Sequence, residues 1–169
     1  ERGLSVLVET ENCKVLLDTG MGKAAVHNAD LLGVDLSTVD KIVLSHAHVD
    51  HTGGLHEVLR RMRKGVEIIA HPDIWIPKYV RYGEVSRYAG IPQMREYLEA
   101  LGATFKLSKR PVKISDEIMT TGEIRMTNDY ETIDDRLYAK KGDKLIPDPL
   151  ADDLALIVRT GQGLALITG

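Results

Sequence analysis

Apolar and polar residues alternate near both ends of the chain and take helical spacing in between. Positions 4–9 alternate and are rich in Val and Leu, and 14–17 repeat the pattern after the polar Thr10-Glu11-Asn12. Together they predict a β-hairpin that ends at the turn-forming Asp18-Thr19-Gly20. From 23 to 32, Ala25, Val26, Ala29 and Leu32 fall at helical spacing, with Gly33 as a C-terminal stop. Ser37 is placed to cap a short turn, and the apolar run at 41–44 reads as a buried strand. Leu55, Val58, Leu59 and Met62 then share one helical face, stopped by Gly65, and 66–70 forms a further strand ending at His71-Pro72. The order β-β-α-β-α-β is that of an α/β protein.

The second half is less patterned. Positions 73–90 read as irregular and hold Trp75, Tyr79, Tyr82 and Tyr88. A helix is expected over 92–101, with Pro92 near its first position and Gly102 at its end. Short strand-like pieces follow Thr104, and 128–149 is a polar stretch with few core candidates. A second hairpin, 154–159 with 163–167, turns at Thr160-Gly161-Gln162.

Composition narrows the function classes. The 169 residues suit one domain spanning 1–169. Twenty-two Lys+Arg against 25 Asp+Glu give a net charge of −3, which argues against a surface that coats nucleic acid. No run approaches the roughly 18 apolar residues of a membrane span, so no membrane partner is expected. Cys13 is the only cysteine, which excludes an intrachain disulfide and fits a reducing cytoplasm.

The chemistry gathers in one hexapeptide. His46, His48, Asp50 and His51 lie within six positions that leave a strand and enter a helix. Neutral imidazole is the commonest ligand of borderline divalent metals, and a carboxylate adds neutralising charge. In an extended segment i and i+2 point the same way, so His46 and His48 can grip one ion. Asp50 and His51, one turn on, can face a second ion about 3.5–4 Å away, and two such ions polarise a substrate oxygen and deprotonate a bridging water together. Gly53 and Gly54 let the backbone turn tightly beneath.

His46-Ala47-His48-Val49-Asp50-His51 followed by Thr-Gly-Gly resembles the HxHxDH signature of the metallo-β-lactamase superfamily, and Asp18-Thr19-Gly20 matches its DTG element. Residues 3–9, Thr121-Gly122-Glu123-Ile124 and 152–156 leading into Thr168-Gly169 resemble the branch named for 7,8-dihydropterin-6-methyl-4-(β-D-ribofuranosyl)aminobenzene-5′-phosphate synthase. The resemblance implies an αβ/βα four-layer sandwich, with two sheets face to face, helices outside and metals at one sheet edge. It implies two divalent ions, zinc first and manganese or iron as alternatives, bound by His46, His48, Asp50 and His51. It also implies further ligands after Thr168-Gly169, in a Cys-Ser-His segment, so the chain is expected to be a C-terminally incomplete piece of its domain.

Three further residues are candidates. Asp18 either holds the loop beneath the histidines through hydrogen bonds or simply forms its turn. His71, at a strand end, is a ligand or substrate contact, or neither. Asp152 and Asp153 precede a buried strand; one of them stands in for the usual third histidine, or both cap the strand. The aromatics of 75–88 either roof a pocket for a planar substrate or pack their loop onto the core. Arg81, Arg87 and Arg95 are read as solvated. The expected function is a metal-dependent hydrolase, its metal-bound hydroxide attacking a small-molecule ester or phosphoester and Asp50 orienting that nucleophile. The alternatives are a pterin-ribofuranosylaminobenzene phosphate synthase-like transferase and a non-catalytic metal-binding scaffold. A flavin-coupled diiron enzyme is disfavoured, because that group places Glu where His48 stands.

Overall fold

The computed structural model describes residues 2–169. The opening hairpin forms as expected, β1 (Val6–Glu9) antiparallel to β2 (Lys14–Leu17). Strands β3 (Lys41–Val43), β4 (Val66–Ala70) and β7 (Ala103–Leu107) extend it in parallel, giving a five-stranded sheet ordered β1-β2-β3-β4-β7. Register explains the apolar runs. Leu16, Ile42 and Ile68 stand side by side on one face, while Leu17, Val43 and Ile69 do so on the other. Both faces are covered, so neither needs polar alternation.

On the first face lie α1 (Ala24–Leu31), α3 (Leu55–Met62) and α4 (Arg95–Ala100). Leu55, Val58, Leu59 and Met62 are all buried there, against Ile42, Ile68 and Leu98. Each such side chain contributes about 1.5–3 kcal/mol. The second face packs on a three-stranded antiparallel sheet of β8 (Ile118–Thr120), β11 (Leu156–Thr160) and β12 (Gly163–Ile167). Val15, Leu17, Val43 and Ile69 meet Ile118, Leu154, Leu156 and Val158 between the sheets. The described residues thus build a helix layer and two sheets of the αβ/βα sandwich. Leu164 and Leu166 are exposed on β12.

The sequence reading needs four local corrections. The short 3-10 turn at Leu36–Thr38 is capped by Asp35, whose side chain accepts from the Ser37 N–H, so Ser37 is the donor. Helix α3 ends at Arg63 in the left-handed conformation, φ 54°, two residues before Gly65. Helix α4 starts at Arg95 after Met94, leaving Pro92 outside it. The last correction is the largest. Positions 73–90, read as irregular, and the polar stretch 128–149 supply four strands: β5 (Lys78–Tyr82), β6 (Val85–Tyr88), β9 (Leu137–Lys141) and β10 (Lys144–Pro147) form an antiparallel sheet ordered β10-β9-β5-β6. Their polar composition hid them, because this sheet carries little of the core: β6 is exposed throughout. Tyr79, Tyr88 and Tyr138 share register across it, with the Arg81 guanidinium 4.1 Å over the Tyr138 ring.

Candidate metal centre

Strand β3 ends at Val43, and the chain bends at Ser45 and Ala47 on its way to His48. His48 then becomes the N-cap of the short helix α2 (Val49–Thr52). The loop is pinned from two sides. From below, Thr19 N donates to His51 O at 2.7 Å and Gly54 N to Gly20 O at 2.9 Å. The approach is so close that a Cβ on Gly54 would fall 2.0 Å from Thr19 O, and one on Gly53 2.1 Å from Met21 O. Those two glycines are therefore required by the fit of one loop on the other. From behind, Leu154 N donates to Ser45 O at 3.0 Å, and Asp152 Oδ2 accepts from Ala47 N at 2.9 Å, between the two histidines.

Three imidazoles cluster as the spacing predicts. The His46 ring lies 4.9 Å from His48 and 4.1 Å from His51, centroid to centroid. Asp50 is more exposed, its Oδ2 3.8 Å from His51 Nε2. Asp18 does hold the loop. Fully buried and with φ 58°, it accepts from Ser45 N at 2.7 Å, Ser45 Oγ at 2.6 Å and His51 Nδ1 at 2.7 Å. The Ser45 hydroxyl hydrogen is thereby committed, so its contact with His46 Nδ1, 3.0 Å, runs from Nδ1–H to Oγ. Both rings are fixed as Nδ1–H tautomers, and Nε2 of each is left with its lone pair.

Electrostatics favours the ligand form of His46. Burial, with His51, His48 and Lys78 nearby, pushes it down to about 2, so the ring stays neutral. Burial would lower His51 too, but the hydrogen bond and charge of Asp18, with Asp50 and Asp153, outweigh it and raise that ring. Asp153 reaches the same side: burial and the neighbouring Asp152 and Asp18 carboxylates raise it to about 6. The turn after β12 also ends here, since a Cβ on Gly169 would lie 2.0 Å from Ser45 Oγ and 3.3 Å from His46 Nδ1.

His71 is placed elsewhere. Its Nδ1 accepts from Asp73 N at 3.0 Å and its Nε2 meets Glu123 Oε2 at 3.2 Å, which occupies both ring nitrogens. His56 stacks on Tyr97, and Trp75 packs edge-on against Phe105. Among the described residues no group of three or more His, Cys, Asp or Glu side chains is placed to hold a metal ion.

The sequence reading missed a buried ion cluster behind His48. Lys78 Nζ, at the start of β5, donates to Asp148 Oδ1 at 2.8 Å and to Asp152 Oδ1 at 2.7 Å. All three residues are buried. Burial opposes the charge on Lys78, but the two carboxylates raise it. Burial would likewise raise Asp148, yet His48 and Lys78 bring it down to about 2. Only the density of aspartates at 148–153 signalled this in the sequence; nothing signalled Lys78.

The comparisons agree with this architecture. The chain is 30% identical over its full length to 7,8-dihydropterin-6-methyl-4-(beta-D-ribofuranosyl)-aminobenzene-5′-phosphate synthase of Methanocaldococcus jannaschii, covering 60% of that protein. It superposes along its whole length on a crystal structure described as a metal-dependent hydrolase of the beta-lactamase superfamily, with a TM-score of 0.80 and 29% identity, covering 59% of that chain. An N-acyl homoserine lactone lactonase shares the fold at 17% identity and a TM-score of 0.55, over 95% of this chain and 57% of its own. The chain thus spans about 60% of the length of its first relatives. No helix among the described residues is long and apolar enough to cross a membrane. With residues 1–132 matching the profile of the metallo-beta-lactamase superfamily, the chain belongs to that superfamily.

Proposed function

We propose that the protein is a metal-dependent hydrolase acting on a small-molecule ester or phosphoester. The observation that carries this is the fixed tautomer of His46 and His51, which Asp18 and Ser45 hold with Nε2 bare on neighbouring rings. In this reading His46 and His48 hold one divalent ion, Asp50 and His51 a second, and zinc suits the donor set best. When bound, the metals supply a hydroxide nucleophile at neutral pH and a Lewis acid for the substrate oxygen. The chain's own residues orient the ligands: Asp18 sets the ring planes, Asp152 holds the peptide between the two histidines, and Asp50, the motif's one carboxylate, its side chain 43% exposed, is positioned to accept a proton from the nucleophile. The buried free thiol of Cys13 and the −3 charge support a cytoplasmic protein with a small-molecule partner and neither nucleic acid nor membrane.

A second reading follows from the synthase relative, in which the same site joins a pterin-type substrate to an arylamine phosphate. Elemental analysis of metal per chain comes first, followed by turnover of ester, phosphoester and pterin diphosphate substrates by the protein and by His48→Ala. Hydrolysis that His48→Ala abolishes supports the hydrolase. Turnover confined to pterin diphosphate with arylamine supports the synthase. No bound metal would sink both and leave a scaffold.

A further inference from the structure

The sheet of β5, β6, β9 and β10 forms one side of a cavity of about 310 Å³. Ile76, Ala139, Ile146, Pro149 and Ala151 give it apolar walls. Register shows how the sheet supplies its share. Ala139 pairs with Lys78 on one side and with Ile146 on the other, so the three side chains stand abreast on one face. Lys78, Asp148 and Asp152 also line the cavity, and their charges answer one another. None of His46, His48 and His51 lines it. The ion cluster, which meets His48 through Asp148, therefore stands between the cavity and the histidine motif.

The same sheet face carries two lysines without partners. Lys141, two residues beyond Ala139, lines the cavity and pairs directly with Lys144 across the β9–β10 hairpin. Like charges directly opposite on one face repel. Among the described residues neither ammonium has an acid within ion-pair reach, Asp143 in the intervening turn included. Asp73, the remaining acid of the lining, stands 3.9 Å from Lys109. The hairpin thus holds two exposed ammonium groups beside an apolar hollow. Size and lining restrict the occupant. At about 30 Å³ per non-hydrogen atom, as in liquid water, there is room for roughly ten such atoms. A sugar would bury hydroxyls against walls that offer them few partners, whereas an aliphatic chain gains from the same walls.

We propose that this cavity is a second binding site, for a short aliphatic carboxylate of about six to eight carbons. The chain lies against Ile76, Ala139 and Ile146, and the carboxylate sits between Lys141 and Lys144. The anion relieves the repulsion across the hairpin tip, and the chain takes apolar surface out of water. Neither half of the ligand suffices alone, because exposed lysines hold a bare anion weakly and the hollow is small. The site needs neither the metals nor the histidines, so it stands or falls independently of the proposed hydrolysis.

The test is an amide NMR titration of the full chain with hexanoate. Acetate, which has the charge without the chain, and 1-hexanol, which has the chain without the charge, serve as controls. Hexanoate should saturate with a Kd of about 1 mM, as befits a ligand of its size, and should shift the amides of Ala139, Lys141, Ile146 and Ala151. Acetate and 1-hexanol should each bind at least about tenfold more weakly. Lys141→Glu combined with Lys144→Glu reverses two exposed charges and should weaken hexanoate by about tenfold or more. Circular dichroism checks that this variant folds, and the shift pattern of the parent decides the matter if it does not. Shifts centred on residues 46–51, or no saturation by about 10 mM, would overturn the proposal. So would acetate binding as tightly as hexanoate, or a folded double variant within about twofold of the parent.

Discussion

The two flanks of the histidine cluster are built on opposite plans. On one, Asp18 accepts three hydrogen bonds and, directly or through Ser45, fixes the rings of His51 and His46. Every donor there has an acceptor in the protein. On the other, His48 Nε2 meets Asp148 Oδ2 at 3.4 Å, while Lys78 balances two aspartates behind it. The first flank is organised by the polypeptide alone. The second is organised by charge, with one buried ammonium between two carboxylates and the His48 ring against the outer one.

The largest effect should come from breaking the first flank. Asp18→Ala leaves the Ser45 N–H, the Ser45 hydroxyl and the His51 Nδ1–H without an acceptor in a site closed to water. Each orphaned donor costs about 1–3 kcal/mol, so the variant should lose roughly 3–5 kcal/mol in denaturant unfolding. It should also bind metal poorly, because His46 and His51 lose their fixed tautomers. A loss under about 1 kcal/mol would mean that the flank is not the rigid support described.

Breaking the second flank should cost about as much in the metal-free protein and less in the loaded one. Lys78→Met leaves two buried carboxylates without their cation, a change that typically costs about 3–5 kcal/mol. Saturating zinc should shrink that loss, since a divalent ion held by the histidine motif in front of the cluster would supply part of the missing positive charge. No such recovery is expected for Asp18→Ala. Unfolding curves of both variants with and without zinc therefore separate the flanks, and equal recovery in the two would erase the distinction.

How much of this was legible in the sequence differs between the flanks as well. The Asp18 side could be read because its elements are short-range or strongly patterned: the Asp-Thr-Gly turn after an alternating hairpin, the apolar run of β3, and a dense histidine motif before an amphipathic helix. The pairings Leu16–Ile42 and Leu17–Val43 then follow from burying both sheet faces. The Asp148 side was illegible for the opposite reason. Lys78 and Asp148 are 70 residues apart, both on segments whose polar composition resembles surface loop. A buried ion cluster is satisfied by long-range charge, and periodicity carries no signal for that. His71 shows the same limit, since a histidine at a strand end left ligand, substrate contact or neither open, and it is long-range contact that commits its nitrogens to Asp73 and Glu123.

The smallest effect sharpens the comparison by pH. Asp153 lies beside Asp18 and Asp152, and its carboxyl is raised to about 6 in the folded metal-free protein, above the ordinary value near 3.9. A raised acid binds its proton more tightly folded than unfolded, so its contribution to stability is present below about pH 4 and is lost as pH climbs through about 6. Above that, the ionised carboxylate is a cost. Asp153→Asn removes the cost and nothing else of comparable size, so it should gain about 1–2 kcal/mol over the parent at pH 8 and close to none at pH 4. His51 is raised too, because Asp18 outweighs burial, but its stabilising share is lost only above its ordinary value of about 6.5, so between pH 4 and 6 the falling stability of the parent is due to Asp153 and the variant should flatten it. Because a bound cation would neutralise the same cluster, zinc should erase most of the variant's advantage at pH 8. An advantage that survives saturating zinc would place Asp153 outside the reach of the metal, and the acidic character of the Asp18 flank would then be structural only.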